Sequence, residues 1–171
     1  PLERYISLDS LQAQERVINE MYDDRLIDMS GFDIFKFCAL LAKSNPSMIE
    51  WLQSDIVYYG EKVEDLAELG LKDFNPTALY YHYKSMCRKN FEKYIKSGEM
   101  RTYKKYLYAM RGLVNAVYVE KCGKLPAIRF TEQIDLCEGI VDGNILNGLR
   151  EIIALKSKGV EKEMVCEHRE F

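Results

Sequence analysis

The sequence predicts a mainly α protein, α+β overall: a helical bundle with a small β part at its N-terminal side. Three observations predict it. Apolar residues recur at three- and four-residue spacing through most of the chain beyond Pro76. Proline and glycine at Pro46, Pro76, Gly98, Gly123, Pro126 and Gly143 cut that pattern into helix-length pieces. Two short apolar bursts, Val17-Ile18 and Leu26-Ile27, flank the polar Tyr22-Asp23-Asp24-Arg25 and read as a hairpin.

The elements follow in order. The second strand is expected over Leu26-Ile27-Asp28-Met29-Ser30, with Asp28 at its end. Ser30 precedes Asp33 by three residues in a capping-box-like start, and Phe32, Phe35, Ala39 and Leu40 keep a helical period up to Asn45. Asn45 ends that helix, because a residue before proline is pushed out of the helical region, and Pro46 suits the first turn of the next. A short helix runs through Gln53, an extended Ile56-Val57-Tyr58 ends at Gly60, and another short helix spans about Glu61 to Leu71.

Pro76 opens the first long helix, whose apolar positions include Leu79, Tyr83, Met86, Cys87, Phe91, Tyr94 and Ile95, interrupted by Asn90 and stopped at Ser97-Gly98. The second runs from about Arg101 to Lys121 and buries Tyr106, Met110, Leu113, Val114 and Val117 on one stripe. Two further helices are expected, around 131 to 139 and 143 to 157, the last amphipathic through Ile145, Leu149, Ile152 and Ile153. Charges crowd together after Ser157. The expected organisation is a β segment over 1–30, a helical lobe over 31–157 and a flexible tail over 158–171.

The 171 residues, 47% of them hydrophobic, suffice for one substantial core. A net charge of −3 from 24 basic and 27 acidic residues gives no global attraction to nucleic acid or to an anionic membrane. Any phosphate binding therefore comes from a local patch. Cys38, Cys87, Cys122, Cys137 and Cys166 are odd in number, widely spaced and mostly set in apolar segments, as reduced buried thiols are, which points to the cytoplasm. No apolar run approaches the roughly 18 to 20 residues that span a bilayer. Cys166 and His168 lack the second pair that a metal site needs.

On the second long helix, Lys104, Tyr108, Arg111 and Asn115 lie at i, i+4, i+7 and i+11 and share a face, with Lys105 at its flank. Two cations with a phenol between them suit a polyphosphate: arginine forks onto two oxygens, lysine adds a point charge, and tyrosine donates or stacks. The same pattern also describes an ordinary solvated helix face. At the corner after Pro46, Glu50, Trp51 and Ser54 sit where a carboxylate and a flat ring face a cleft, although a lone tryptophan is more often core. His82 lies between Tyr81 and Tyr83 on the first long helix.

Two long motifs carry a resemblance. The run from Lys43-Ser44-Asn45-Pro46 through Glu50-Trp51-Leu52 to Ser54-Asp55-Ile56-Val57-Tyr58 is similar to "K-S-N-P-x-x-x-E-W-L-x-S-P-I-V-Y", with Asp55 in place of the second proline. Tyr103-Lys104-Lys105-Tyr106-Leu107-Tyr108-Ala109-Met110-Arg111 resembles a "K-K-Y-L-Y-A-L-R" helix. Both are found, in this order and spacing, in a family of predicted nucleotidyltransferases, the YcgL/RlaP-like group of the DNA polymerase β-like superfamily. The resemblance covers roughly residues 1 to 135.

It implies that the β part is a remnant of a nucleotidyltransferase sheet and that the reaction is magnesium-dependent transfer of a nucleoside monophosphate from ATP or another NTP to an acceptor hydroxyl, with release of pyrophosphate. Asp28 matches the strand that presents a third metal-associated acid, as catalytic base and metal ligand. Lys36, in Asp33-x-x-Lys36, matches a "D-x-x-K" lysine. By the same resemblance Glu50, Trp51, Ser54, His82, Lys104, Lys105, Tyr108 and Arg111 hold the nucleotide, and RNA is a candidate acceptor, since some relatives are associated with RNA repair. The family's Gly-Ser turn and Asp-x-Asp pair are absent, and Pro1-Leu2-Glu3-Arg4-Tyr5 matches a segment that follows them, so a preceding portion that carries them is expected. A noncatalytic helical interaction or scaffold domain is the alternative.

Overall fold

The computed structural model describes residues 17–23, 26–61, 64–96 and 102–160. It is mainly helical with one two-stranded sheet, and the chain divides into two compact units, 1–42 and 43–171.

In the first unit, β1 (Val17–Tyr22) and β2 (Ile27–Phe32) pair antiparallel, Val17 opposite Phe32 and Tyr22 opposite Ile27. The Ser30 hydroxyl donates to Asn19 Oδ1 at 2.7 Å across the pair. Ser30 is therefore a strand residue and not a helix cap. The cap of α1 (Ile34–Leu41) is Asp33, whose carboxylate accepts from the Lys36 amide at 2.9 Å. Asp28 lies at the second position of β2, opposite Met21, because the strand runs on to Phe32.

In the second unit, α2 (Pro46–Gln53) starts one corner and α4 (Pro76–Asn90) another, with α3 (Glu64–Lys72) between them. Each corner is an Asn-Pro pair in which the asparagine caps and the proline fills the first turn. Asn45 accepts from the Ser47 amide at 3.0 Å and Asn75 from the Ala78 amide at 3.0 Å. Asn45 thus begins a helix and does not end one: α1 stops at Leu41, and Ser44 takes a left-handed conformation, φ 53°, that turns the chain. The buried Ser44 hydroxyl accepts from the Asn75 amide at 2.7 Å, so the two corners are tied together. Beyond α2, residues 54–57 form no strand; within the described residues the sheet has two strands, and this segment has no partner to complete a ladder.

The first long helix continues past Asn90 as a π-helical stretch, Phe91–Lys96. Asn90, the polar break in the apolar pattern, donates its amide to Met86 O at 3.0 Å at that junction. Thr102 caps α5 (Tyr103–Cys122), and Gly123, at φ 64°, closes it in the left-handed region. At Gly112, α4 and α5 approach so closely that a Cβ would lie 3.0 Å from the Cys87 backbone nitrogen. Helices α6 (Phe130–Leu136) and α7 (Gly143–Leu155) follow, and the last helix continues in π form over Lys156–Val160. The remainder of the expected tail, 161–171, lies outside the described residues.

One cluster of core side chains gathers Leu107, Val114 and Tyr118 of α5 with Ile134, Cys137, Leu146, Leu149 and Ile152. Its stripe on α5 differs from the expected one. Tyr106 and Val114 are buried, Met110 and Val117 partly so, and Leu113 is exposed, because α5 is covered on more than one side. Cys38 and Cys122 are exposed, Cys87 is half-buried and Cys137 buried, all unpaired, so the expectation of burial holds for part of the set; Cys166 lies outside the described residues. Among the described residues no helix is long and apolar enough to cross a membrane.

Candidate nucleotide-binding site

The site grows from three helices of the second unit. The Asn45-Pro46 corner sets α2 so that Met48, Ile49 and Leu52 are buried, which leaves Glu50 and Trp51 on its other flank. Ser54 ends that helix, its amide donating to Glu50 O and Trp51 O, while its hydroxyl accepts from the Ile56 amide at 3.2 Å. Trp51 is 46% exposed, so the core reading of the lone tryptophan does not apply.

Glu50 is where the helices meet. Its Oε1 accepts from Arg111 Nη2 of α5 at 3.2 Å and from the Tyr83 hydroxyl of α4 at 3.3 Å. Arg111 Nη2 also donates to Ile128 O at 3.2 Å. The Arg111 and Glu50 side chains are 33% and 30% exposed, so the pair is neither a free surface ion pair nor fully desolvated. Burial first, and the Glu50 carboxylate second, push the Tyr83 phenol well above the ordinary tyrosine range, against the opposing pull of Arg111. Tyr83 is accordingly a neutral donor.

Beside it lies Asn115, fully buried, with neither Oδ1 nor Nδ2 in a hydrogen bond. Its amide is near enough to the Tyr83 oxygen to favour the phenolate weakly, without the geometry of a bond. Asn115 was expected on an open face with Lys104, Tyr108 and Arg111. The packing of α5 turns it inward instead, whereas Tyr108 is exposed and Lys104 and Arg111 are partly so.

The remaining residues are placed as follows. Lys105 Nζ stands over the Tyr94 ring at 3.9 Å and near Tyr108 at 5.7 Å, which draws it toward the π-helical stretch. His82 is exposed on α4. In the first unit, Asp28 is exposed on β2 and Lys36 Nζ lies 5.0 Å from the Phe32 ring centroid. The residues that sequence reasoning assigned to the apolar stripe or left out are Tyr83 and the Ile128 carbonyl. A tyrosine in a buried stripe is itself a signal, since its hydroxyl needs a partner; nothing local marks Ile128.

A magnesium ion needs several oxygen ligands. Among the described residues no three His, Cys, Asp or Glu side chains come together to hold one, and Asp28 alone does not fit that need.

A nucleotidyltransferase-like family accounts for the paired motifs at Glu50-Trp51 and Lys104–Arg111, and the comparison with known families decides it: the whole chain, residues 1–171, matches the model of the RlaP family. The chain belongs to the RNA repair pathway DNA polymerase beta family. It is also similar to the uncharacterized protein YcgL of Bacillus subtilis (strain 168), with 34% identity over 157 residues, which are 91% of this chain and 59% of that protein. The chain thus spans about three fifths of the length of this relative. No solved structure is significantly similar to it.

Proposed function

We propose that this chain is the nucleotide-holding part of a nucleotidyltransferase that moves a nucleoside monophosphate from ATP or another NTP to an acceptor hydroxyl, with RNA as acceptor. The observation that carries the reading is the cluster at Glu50. Arg111 is held by a carboxylate and a carbonyl in a partly open position, which fixes a guanidinium where its remaining N–H groups can fork onto phosphate oxygens. Lys104 supplies a second cation about two turns back on the same helix, and the half-exposed Trp51 ring next to Glu50 offers a surface for a base. Glu50 and Tyr83 act here as positioning residues.

In the proposed reaction the acceptor oxygen attacks the α-phosphorus, the α–β phosphoanhydride bond breaks and pyrophosphate leaves. The proton of the acceptor hydroxyl goes to a carboxylate, the role assigned to Asp28. The family implies magnesium as companion of the triphosphate; since the described residues do not make its site, no step is assigned to it.

Isothermal titration of the full-length protein with MgATP tests the phosphate assignment. Lys104→Ala with Arg111→Ala is expected to weaken binding tenfold or more, at about 1.4 kcal/mol per decade, while Asp28→Asn leaves affinity intact and abolishes transfer of labelled nucleotide to RNA. Unchanged affinity in the double variant sinks the assignment.

A further inference from the structure

The charges of this chain are segregated. Residues 76–111 carry nine of the 24 cations but two of the 27 acids, a local +7, which leaves −10 for the rest. The same stretch holds seven of the twelve tyrosines. The core takes Leu79, Tyr83, Ile95, Tyr106, Leu107 and Ala109 from these helices, with Tyr94 and Tyr103 packed against it, and leaves the Tyr81 and Tyr108 rings and most of the cations at the surface.

Cations and rings are paired at both ends of α4 and its extension. At one end the Tyr80 and Tyr81 rings meet edge to face, centroids 5.1 Å apart, and Lys84 Nζ bonds the Tyr80 hydroxyl at 3.2 Å and lies 5.3 and 6.0 Å from the two centroids. At the other, Tyr94 lies between Lys93 at 5.1 Å and Lys105 at 3.9 Å, and Lys105 reaches on to Tyr108 at 5.7 Å. Tyr80 and Tyr94 are fourteen residues apart, about 20 Å of helix. Tyr81 and Tyr108 are 59% and 45% exposed, so each pair keeps an open ring. The acid that this stretch has among its described residues, Glu92, is tied to Arg88 at 2.9 Å.

Alternating cations and open aromatic rings on a locally basic strip match a strand that presents phosphates and unstacked bases in turn. An acidic peptide would use the lysines and leave the rings unexplained, and a duplex hides its base faces. We propose that the outer surface of α4, its π-helical extension and the start of α5 bind single-stranded RNA, with Tyr81 as a stacking platform and Lys84 and Lys93 as phosphate contacts. Its role as the track for the acceptor rests on the transferase reading; the binding itself does not.

Fluorescence anisotropy of the full-length protein with a labelled oligouridylate tests this, with the matching oligothymidylate and an RNA duplex as comparisons. Variants are confined to Tyr81, Lys84 and Lys93, because Lys105 and Tyr108 are also assigned to the nucleotide. Tyr81→Ala with Lys84→Ala is expected to weaken RNA binding about tenfold, and Lys93→Ala to lower the salt slope by about 0.7, while MgATP affinity and the circular dichroism spectrum stay as in the wild type. Absence of RNA binding by the wild type, unaltered binding by the variants, or equal or tighter binding of the duplex or of DNA would overturn the proposal. Failure of the transferase reading appears separately, in the MgATP titration of the Lys104 and Arg111 variant.

Discussion

At the scale of single residues, the Glu50 carboxylate joins two side chains that sequence periodicity sends to different places, a phenol in a buried stripe and a guanidinium on an open face. Because burial raises the Tyr83 pKa above its unfolded value near 10, its neutral form stabilises the fold fully below that pH. The contribution is lost as pH rises from about 10 toward the folded value, by about 1.4 kcal/mol per pH unit. Tyr83→Phe removes the titrating group, so the fall in unfolding free energy above pH 10 should be shallower in the variant. Urea unfolding of both proteins across that range measures it, and parallel curves would contradict the assignment. Asn115, expected on the open face of α5, is instead fully buried beside Tyr83.

At the scale of elements, the two Asn-Pro corners are the firmest local devices in the chain. Each combines a side-chain cap with a proline that needs no donor, and the repetition of Asn-Pro at 45–46 and 75–76 is visible in the sequence. Their coupling is not. It depends on Ser44, bent to φ 53° and holding the Asn75 amide. Ser44→Ala leaves that half-buried donor without its partner and should destabilise the protein by about 1–2 kcal/mol, read as a lower urea midpoint at unchanged slope. An unaltered midpoint would show that water replaces the hydroxyl without loss. The hairpin, α1, α2 and the two long helices were all legible from apolar spacing and breakers. The strand expected at Ile56-Val57-Tyr58 was not realised, because a β-like composition makes a strand only beside a partner.

At the scale of the whole molecule, the chain holds two compact units, and the candidate residues are divided between them: Asp28 and Lys36 in one, the Glu50 cluster and the basic aromatic strip in the other. On the proposed reading the second unit supplies phosphate contacts, while no three His, Cys, Asp or Glu among the described residues come together to hold a metal. The 171-residue chain is expected to bind MgATP. Titration with MgATP checks this, and absence of binding would contradict the reading. The modest overall charge conceals a strongly divided one, which is why composition excluded a global attraction to nucleic acid while leaving a local one open.

The sequence by itself determined the fold class, the order of the elements and the family. These rest on signals that act within a few residues, namely helical spacing, caps, prolines and two contiguous motifs. Tertiary structure decided which residues work together. Glu50 meets Tyr83 and Arg111 from 33 and 61 positions away, Ser44 meets Asn75, and Asn115 turns inward while Trp51 stays half open. Those outcomes depend on how helices pack against one another, and a helix face read in isolation does not reveal which of its sides its neighbours cover.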